Sequence, residues 1–406
     1  MQSAVRNYLI VTASYWGFTL VDGALRMLVL LHFFKLGYSP FTLSFLFLLY
    51  EVAGIVANLA GGWLATHFGI PRMLLAGQAL QIAGLAMLSF LDPSWSAALS
   101  VVWVVAAQGI SGLAKDFTKT ASKSAIKATS EQGSGQLFKW VAWFTGSKNA
   151  MKGLGFFVGG ILLELFGFQN SLWLMSGLIG AVLLACFLLP RDLGKAKASK
   201  SIKEFFGKSR GVNLLAAARI FMFGARDVWF VVALPVFLYA SGWNFTQVGA
   251  FLAAWTIGYG FIQAIAPSFV PRSTDGLTRE IPAARIWAAA LVAVPSLLAL
   301  ALFGGELSRP DLWVAIGLAI FGFPFAVNSS LHSYLILAYA GSKKAAEDVG
   351  FYYAANAAGR LGGILLSGAL YQIGGIQLCM IGSATMLLTC WAITLILPAN
   401  ASLKDA

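Results

Sequence analysis

The sequence predicts an all-α membrane protein with twelve transmembrane helices in two six-helix, pseudo-symmetric bundles. Three observations lead there. Of the 406 residues, 59% are hydrophobic and only 11% are charged, whereas a soluble domain carries about 25% charge. Apolar runs of about 20 residues, the length needed to cross a bilayer, recur along the whole chain, and short loops join most of them. The two halves of the chain also echo each other at nearly constant spacing.

Taken in order, the apolar runs fall at about 8–33, 43–65, 72–91, 96–115, 137–166, 171–190, 213–240, 247–268, 284–303, 312–340, 349–373 and 377–397. The first run is too long for a signal-peptide core and lacks a small-residue cleavage site, so the first helix is expected to act as the targeting signal. The longest hydrophilic stretch, Pro190 to Gly211, is strongly basic. It divides the chain into a first bundle (1–190), a cytoplasmic linker (191–212) and a second bundle (213–406). Within the linker, Ile202 to Phe206 can form a short interfacial helix.

A net charge of +12 raises the question of nucleic acid, but the distribution of the charge excludes it. With the amino terminus inside, the inner segments hold 20 of the 28 Lys and Arg residues, and the outer loops hold only Lys35 and Arg309. This is the positive-inside pattern. It places both termini in the cytoplasm, with the spans in contact with membrane lipid. Cys186, Cys379 and Cys390 lie within apolar runs without CxxC spacing, and they read as small packing residues. No metal-ligand cluster, cofactor motif or nucleophile–base pair is visible, which argues against an enzyme.

Shifting the chain by 205 residues puts Asp22 on Asp227, Gly37 on Gly242 and Tyr38 on Trp243. A shift of 207 puts Asn149 to Gly155 on Asn356 to Gly362, and Gly167 on Gly374. Parallel repeats of this kind characterise one large class of membrane transporters. Glycines at 153, 155, 159 and 160, and at 359, 362 and 363, supply the small residues that let membrane helices approach closely.

The six remaining cations, Arg26, Lys148, Lys152, Arg219, Arg226 and Arg360, lie within spans, and together with the lysine stripe that begins at Lys115 they are the candidate functional residues. An ionisable side chain within a span costs roughly 2.5–3.5 kcal/mol on insertion scales and usually faces a cavity, a partner or a substrate. Lys115, Lys119, Lys123 and Lys127 recur every fourth residue. Like charges at that spacing repel, so the stripe does not serve helix stability. Solvated anchoring is the competing reading, and it is strongest for Lys123 and Lys127. Ser111, Thr118 and Ser122 are expected to add hydroxyl donors on the same side, making an anion-binding ramp. Lys148 lies near the inner boundary of the fifth span and can snorkel. Lys152 is one turn deeper, roughly 6 Å. Arg26, Arg226 and Arg360 lie well inside spans, while Arg219 is close enough to an end to snorkel.

Only Asp22, Glu51 and Asp227 are acids well inside spans. Asp22 and Arg26 can pair at i,i+4. Asp227 is adjacent to Arg226, and neighbours at i,i+1 do not face each other, so that pair is not expected to neutralise itself. Three intramembrane cations are left without an obvious counter-ion, and a small multivalent anion would supply it. Arg suits phosphate-like groups through its planar fork, and Lys acts as a point charge. The alternative is pairing with backbone carbonyls or water. Asp22, Glu51 and Asp227 are also candidates for carrying protons, since intramembrane acids often act as relays. Asn328, Ser329, Ser330 and His332 form a polar patch in the tenth span, suited either to helix packing or to substrate contact.

Two resemblances follow from these residues. Gly61 to Arg72 (GGWLATHFGIPR) resembles the signature loop of the major facilitator superfamily, with Gly62, Leu64, Gly69 and Arg72 on the pattern and Thr66 in place of its usual acid. Gly146, Gly155 and Gly159 loosely resemble the antiporter motif of that superfamily's fifth helix, with Gly160 in place of its proline. The blocks YLIVTASYWGFTLVDGALRMLVLLHF, GLAKDFTKTASKSAIK and TGSKNAMKGLGFF are similar to the organoarsenical efflux permeases of the ArsJ type. That resemblance implies a bacterial inner-membrane exporter of 1-arseno-3-phosphoglycerate. It also implies functional pairing with the glyceraldehyde-3-phosphate dehydrogenase that makes the ester from arsenate.

The expectation is therefore export by alternating access, conferring arsenate resistance. The substrate would meet Lys115 and Lys119, pass to Lys148 and Lys152, and be clamped by Arg26, Arg226 and Arg360. Exchange of an organophosphate for phosphate uses the same cations. A non-transporting membrane receptor is a third possibility, but it has little use for paired bundles with mid-span cations.

Overall fold

The computed structural model describes residues 2–57, 69–130, 136–190, 208–270, 273–304, 307–340 and 345–398, without side-chain detail at 2–5, 123–146 and 345–347. Gly62, Leu64 and Thr66 of the signature loop, the side chains of Lys123 and Lys127, and the segment Ile202 to Phe206 lie outside the described residues or their side chains.

Among the described residues there is no strand. Lipid offers the backbone no hydrogen-bond partners, so apolar spans close their own bonds as helices. The helices are α1 (Gln2–Lys35), α2 (Pro40–Phe45) followed by helical residues 48–57, α3 (Ile70–Ser89), α4 (Ala97–Ser130) and α5 (Gln136–Cys186). The second half contributes α6 (Arg210–Phe230), α7 (Ala233–Ala240), α8 (Phe245–Ile265), α9 (Glu280–Phe303), α10 (Pro310–Tyr339) and α11 (Ala345–Leu395). Nine stretches of the described residues are long and apolar enough to cross a membrane. Two of them, Ser147–Cys186 and Asp348–Leu395, run to 40 and 48 residues, about twice what one crossing needs. Each is broken by non-helical glycines, at Gly167 and at Gly374 and Gly375. Large apolar side chains such as Leu165, Phe187, Leu300, Phe303 and Ile373 point outward, as a lipid-facing surface requires.

The helices group into two compact units. Unit 1 is Met1–Leu36, Phe45–Lys200 and Asn244–Ile257, and unit 2 is Gly37–Ser44, Ser201–Trp243 and Gly258–Ala406. In unit 1 the α1 and α5 backbones touch at glycines: a Cβ on Gly155 would lie 2.3 Å from the Leu20 carbonyl oxygen. In unit 2, α6 and α11 do the same, and a Cβ on Gly363 would lie 2.5 Å from the Gly224 oxygen.

The internal repeat is written in the backbone. Gly37 and Gly242, 205 positions apart, have φ of 90° and 94°. Gly167 and Gly375 have φ of 71° and 60° and interrupt two helices that are each 51 residues long. Their spacing is 208, one more than the register predicted from NAMKGLG and NAAGRLG, because the kink matches Gly375 rather than Gly374. The 208 register puts Lys152 on Arg360, Gly155 on Gly363 and Glu164 on Gln372. The last pair makes equivalent caps. Glu164 Oε2 accepts the Thr246 backbone N–H at 3.0 Å, and Gln372 Oε1 accepts that of Phe41 at 3.2 Å.

Candidate functional site

Unit 1 builds a buried polar cluster around Tyr50. The Tyr50 hydroxyl donates to Asp22 Oδ1. Its ring lies 3.8 Å from the Lys115 ammonium and 4.9 Å from the Arg26 guanidinium carbon, positions that favour cation–π attraction. Arg26 also lies 4.9 Å from the Phe47 ring and donates to Glu51 Oε1 at 2.8 Å. The Glu51 side chain is 1% exposed. The expected Asp22–Arg26 pair is therefore replaced by two contacts to the helix 48–57. Arg26 reaches across to the neighbouring helix, where Glu51 offers a direct charge-assisted bond, and Asp22 is left to the tyrosine hydroxyl.

Along α4, Lys115 makes no ion pair with a described residue beyond its seat on Tyr50, while Lys119 lies 3.7 Å from Asp116 Oδ1. Asp116 is buried, and its other oxygen has no hydrogen-bond partner among the described residues. Ser111, Thr118 and Ser122 do not join the lysines. All three are fully buried. Ser111 and Thr118 fit against Gly84 and Gly77 of α3, whose Cβ positions would lie 2.7 and 2.3 Å from the hydroxyl oxygens. The i+4 lysine series drifts by about 40° per step around the helix, whereas the spacing 111, 118, 122 keeps the hydroxyls within an arc of about 40°, and the two diverge along the helix. Lys148 and Lys152 are half-buried on α5, with the Lys152 ammonium 5.8 Å from the Phe156 ring.

Unit 2 gathers more positive charge. Asp227 on α6 is fully buried and bridges two arginines. Its Oδ1 accepts from Arg226 Nε at 2.7 Å, and its Oδ2 accepts from Arg360 Nε of α11 at 3.0 Å. The expectation that Asp227 would leave its neighbour unneutralised is thus overturned. The long arginine side chain folds back along the helix surface far enough to reach a carboxylate one residue away.

Arg219 overturns a second expectation. It does not snorkel but is 4% exposed. Its Nε donates to Asn356 Oδ1 at 2.9 Å, and one terminal amino group donates to the backbone and hydroxyl oxygens of Ser329, both at 3.2 Å. Its plane lies 3.9 Å from the Phe223 ring. The Ser329 hydroxyl also accepts from Tyr259 at 3.1 Å. Part of the tenth-span patch therefore contacts a cation. Tyr50 and Asp116 carried no signal of their own as site residues, and Asn356 was marked only by the repeat; each becomes visible through the charged partner that packing brings to it. The three cysteines are buried free thiols, and no cluster of metal-ligating side chains occurs among the described residues.

These features, two helical units related by an internal repeat, each with buried charge, coincide with a family match. The Major Facilitator Superfamily pattern covers residues 8–360. The chain belongs to the Major Facilitator Superfamily. It is accordingly a multi-pass membrane transporter of the secondary type and not an enzyme. Among solved structures, the crystal structure of the nucleoside transporter NupG, an aspartate-to-alanine mutant, matches with a TM-score of 0.76 over 97% of this chain and 99% of that one. Sequence identity is 14%, so the likeness is one of fold. Among curated proteins, none matches this chain.

Proposed function

We propose that this superfamily member exports an anionic phosphorylated organoarsenical, 1-arseno-3-phosphoglycerate, across a bacterial inner membrane. In this role it confers arsenate resistance on cells whose glyceraldehyde-3-phosphate dehydrogenase makes that ester. The observation that carries the reading is a cluster in unit 2 where Arg226 and Arg360 share the Asp227 carboxylate and the buried Arg219 bonds neutral oxygens, while the other described buried acids of unit 2, Glu280, Asp311 and Asp348, lie with Ser273, Arg309 and Lys208. An excess of guanidinium within a span is costly, and an oxyanion passenger offsets it through charge-assisted, bidentate hydrogen bonds. A nucleoside, the passenger named for NupG, carries no charge and would leave that excess unexplained. The sequence blocks similar to organoarsenical permeases supply the arsenic in the reading. Pentavalent arsenic with oxygen ligands needs no thiolate, in keeping with three buried, dispersed cysteines.

In this scheme the chain crosses the membrane twelve times with both termini cytoplasmic, and 191–212 is the linker between bundles 1–190 and 213–406. Lys115, Lys119, Lys148 and Lys152 guide the anion in unit 1, with Arg26 held by Glu51. Proton antiport through Asp22, Glu51 or Asp227 supplies the energy.

The test is flux. Cells expressing the chain with its dehydrogenase should resist arsenate, and Lys152→Ala and Arg226→Ala should lose that resistance at equal expression. Full resistance in both variants refutes the binding assignment. The same arginines suit an organophosphate exchanger. Everted vesicles separate the two, because an exporter accumulates the arsenate ester without internal phosphate and an exchanger requires it.

A further inference from the structure

Arg219 is the most deeply buried arginine among the described residues of unit 2. It has no carboxylate partner among the described residues; it donates to the neutral oxygens of Asn356 and Ser329. Around it lies unused hydrogen-bonding capacity. His332, one turn along α10 from Ser329, is buried with neither ring nitrogen partnered among the described residues, so it holds at least one unused N–H donor. Buried polar groups without partners are uncommon and call for an explanation.

The second observation is register. Arg219 and Arg226 are seven residues apart on α6, which places them on one face, about 10 Å apart along the axis. Both lie against the same ring, at 3.9 and 5.0 Å from the Phe223 centroid. On α11, Asn356 and Arg360 repeat the arrangement at i,i+4. Unit 2 thus carries two cationic layers separated by one phenyl ring. One layer is Arg219 with Asn356, and the other is Arg226 and Arg360 about Asp227.

We propose that Arg219, Ser329 and Asn356 form an oxyanion subsite, so that unit 2 holds a small molecule carrying an oxyanion at each end. One end rests on Arg226 and Arg360 and the other on Arg219. The inference rests on the reading of unit 2 as anion-binding, and it defines the passenger as two-ended. Phe223, with a guanidinium 3.9 Å and another 5.0 Å from its ring centroid, is the spacer that sets the distance between the two ends.

Calorimetry on the full-length protein in nanodiscs tests this with two probes, 3-phosphoglycerate and inorganic phosphate. The wild type should bind 3-phosphoglycerate more tightly than phosphate by about 10- to 100-fold, the range for one added charge-assisted contact. Arg219→Gln should bring that ratio close to one. Asn356→Asp places a carboxylate where the Arg219 Nε already points, so it should also collapse the ratio while keeping the fold. It decides the matter where Arg219→Gln fails to fold. Equal affinities in the wild type, or a wild-type ratio in a folded Asn356→Asp variant, overturn the subsite. Failure to bind either probe overturns the anion-binding reading as well. A preserved ratio without arsenate resistance in cells removes only the arsenical.

Discussion

Asp227→Asn is the most informative single change because it keeps the shape of the side chain and removes one charge. Asp227 accepts from Arg226 and Arg360 at 2.7 and 3.0 Å. At the longer distance one such pair is worth about 5–6 kcal/mol in Coulomb terms at an effective dielectric of about 20. Desolvation offsets much of this, and breaking a buried pair costs about 3–5 kcal/mol in practice. The two arginine side chains are 14% and 19% exposed, and that partial screening favours the lower figure, about 3 kcal/mol. On the scaling for units of 150–250 residues, a loss of that size lowers the melting temperature by about 6–12 °C. The variant leaves two guanidinium groups facing one neutral amide. Added phosphate should therefore raise its melting temperature more than it raises that of the wild type. Thermal melts in detergent with and without phosphate measure both effects. An unchanged melting temperature together with an unchanged phosphate response would refute the idea that Asp227 and a bound anion share the same two arginines.

Three further outcomes are expected. Glu51→Gln removes the carboxylate 2.8 Å from Arg26 and should destabilise unit 1 by about 3 kcal/mol, and a paired Arg26→Met and Glu51→Leu replacement should recover most of that loss in thermal melts. Tyr50→Phe deletes the hydroxyl bonded to Asp22 but keeps the ring under Lys115; it should cost about 1.5–3 kcal/mol, read by melting, and should shift the pH profile of transport if Asp22 carries the coupling proton. Gly155→Val drives a side chain into the Leu20 backbone and should cost at least about 1–3 kcal/mol, while Gly177→Val, with open space around its Cβ, should leave the melting temperature near that of the wild type.

The fold was legible because lipid restricts what a backbone can do. Apolar runs of spanning length become helices, and the 205-residue echo from Asp22 to Asp227 and from Gly37 to Gly242 survives as matched glycine turns. The site was legible only in kind. Intramembrane Arg26, Arg226 and Arg360 were visible as charges out of place, but their partners were not, because partner choice depends on which helix lies alongside. Arg26 passes over Asp22, one turn away, and takes Glu51 on another helix. Arg226 takes the neighbour that helical geometry seemed to forbid. Arg219 was misread because its distance from the end of a span says nothing about whether α10 and α11 close over it.

The corrected repeat register bears on mechanism. With Lys152 equivalent to Arg360 and Asp22 equivalent to Asp227, each half carries a cation and a carboxylate at matched places on matched helices. The halves then diverge in how the carboxylate is used. In unit 2 Asp227 is held by two guanidinium groups, those of Arg226 and Arg360. In unit 1 Asp22 bonds a tyrosine hydroxyl while Glu51 takes Arg26. Under the proposed function the halves divide the work, with Asp22 as the proton-coupling acid and the arginines around Asp227 as the seat of the anion. Asp22→Asn should therefore abolish the dependence of transport on a proton gradient while sparing phosphate binding, and Asp227→Asn should alter phosphate binding. Reversal of those two phenotypes would assign the tasks to the opposite halves.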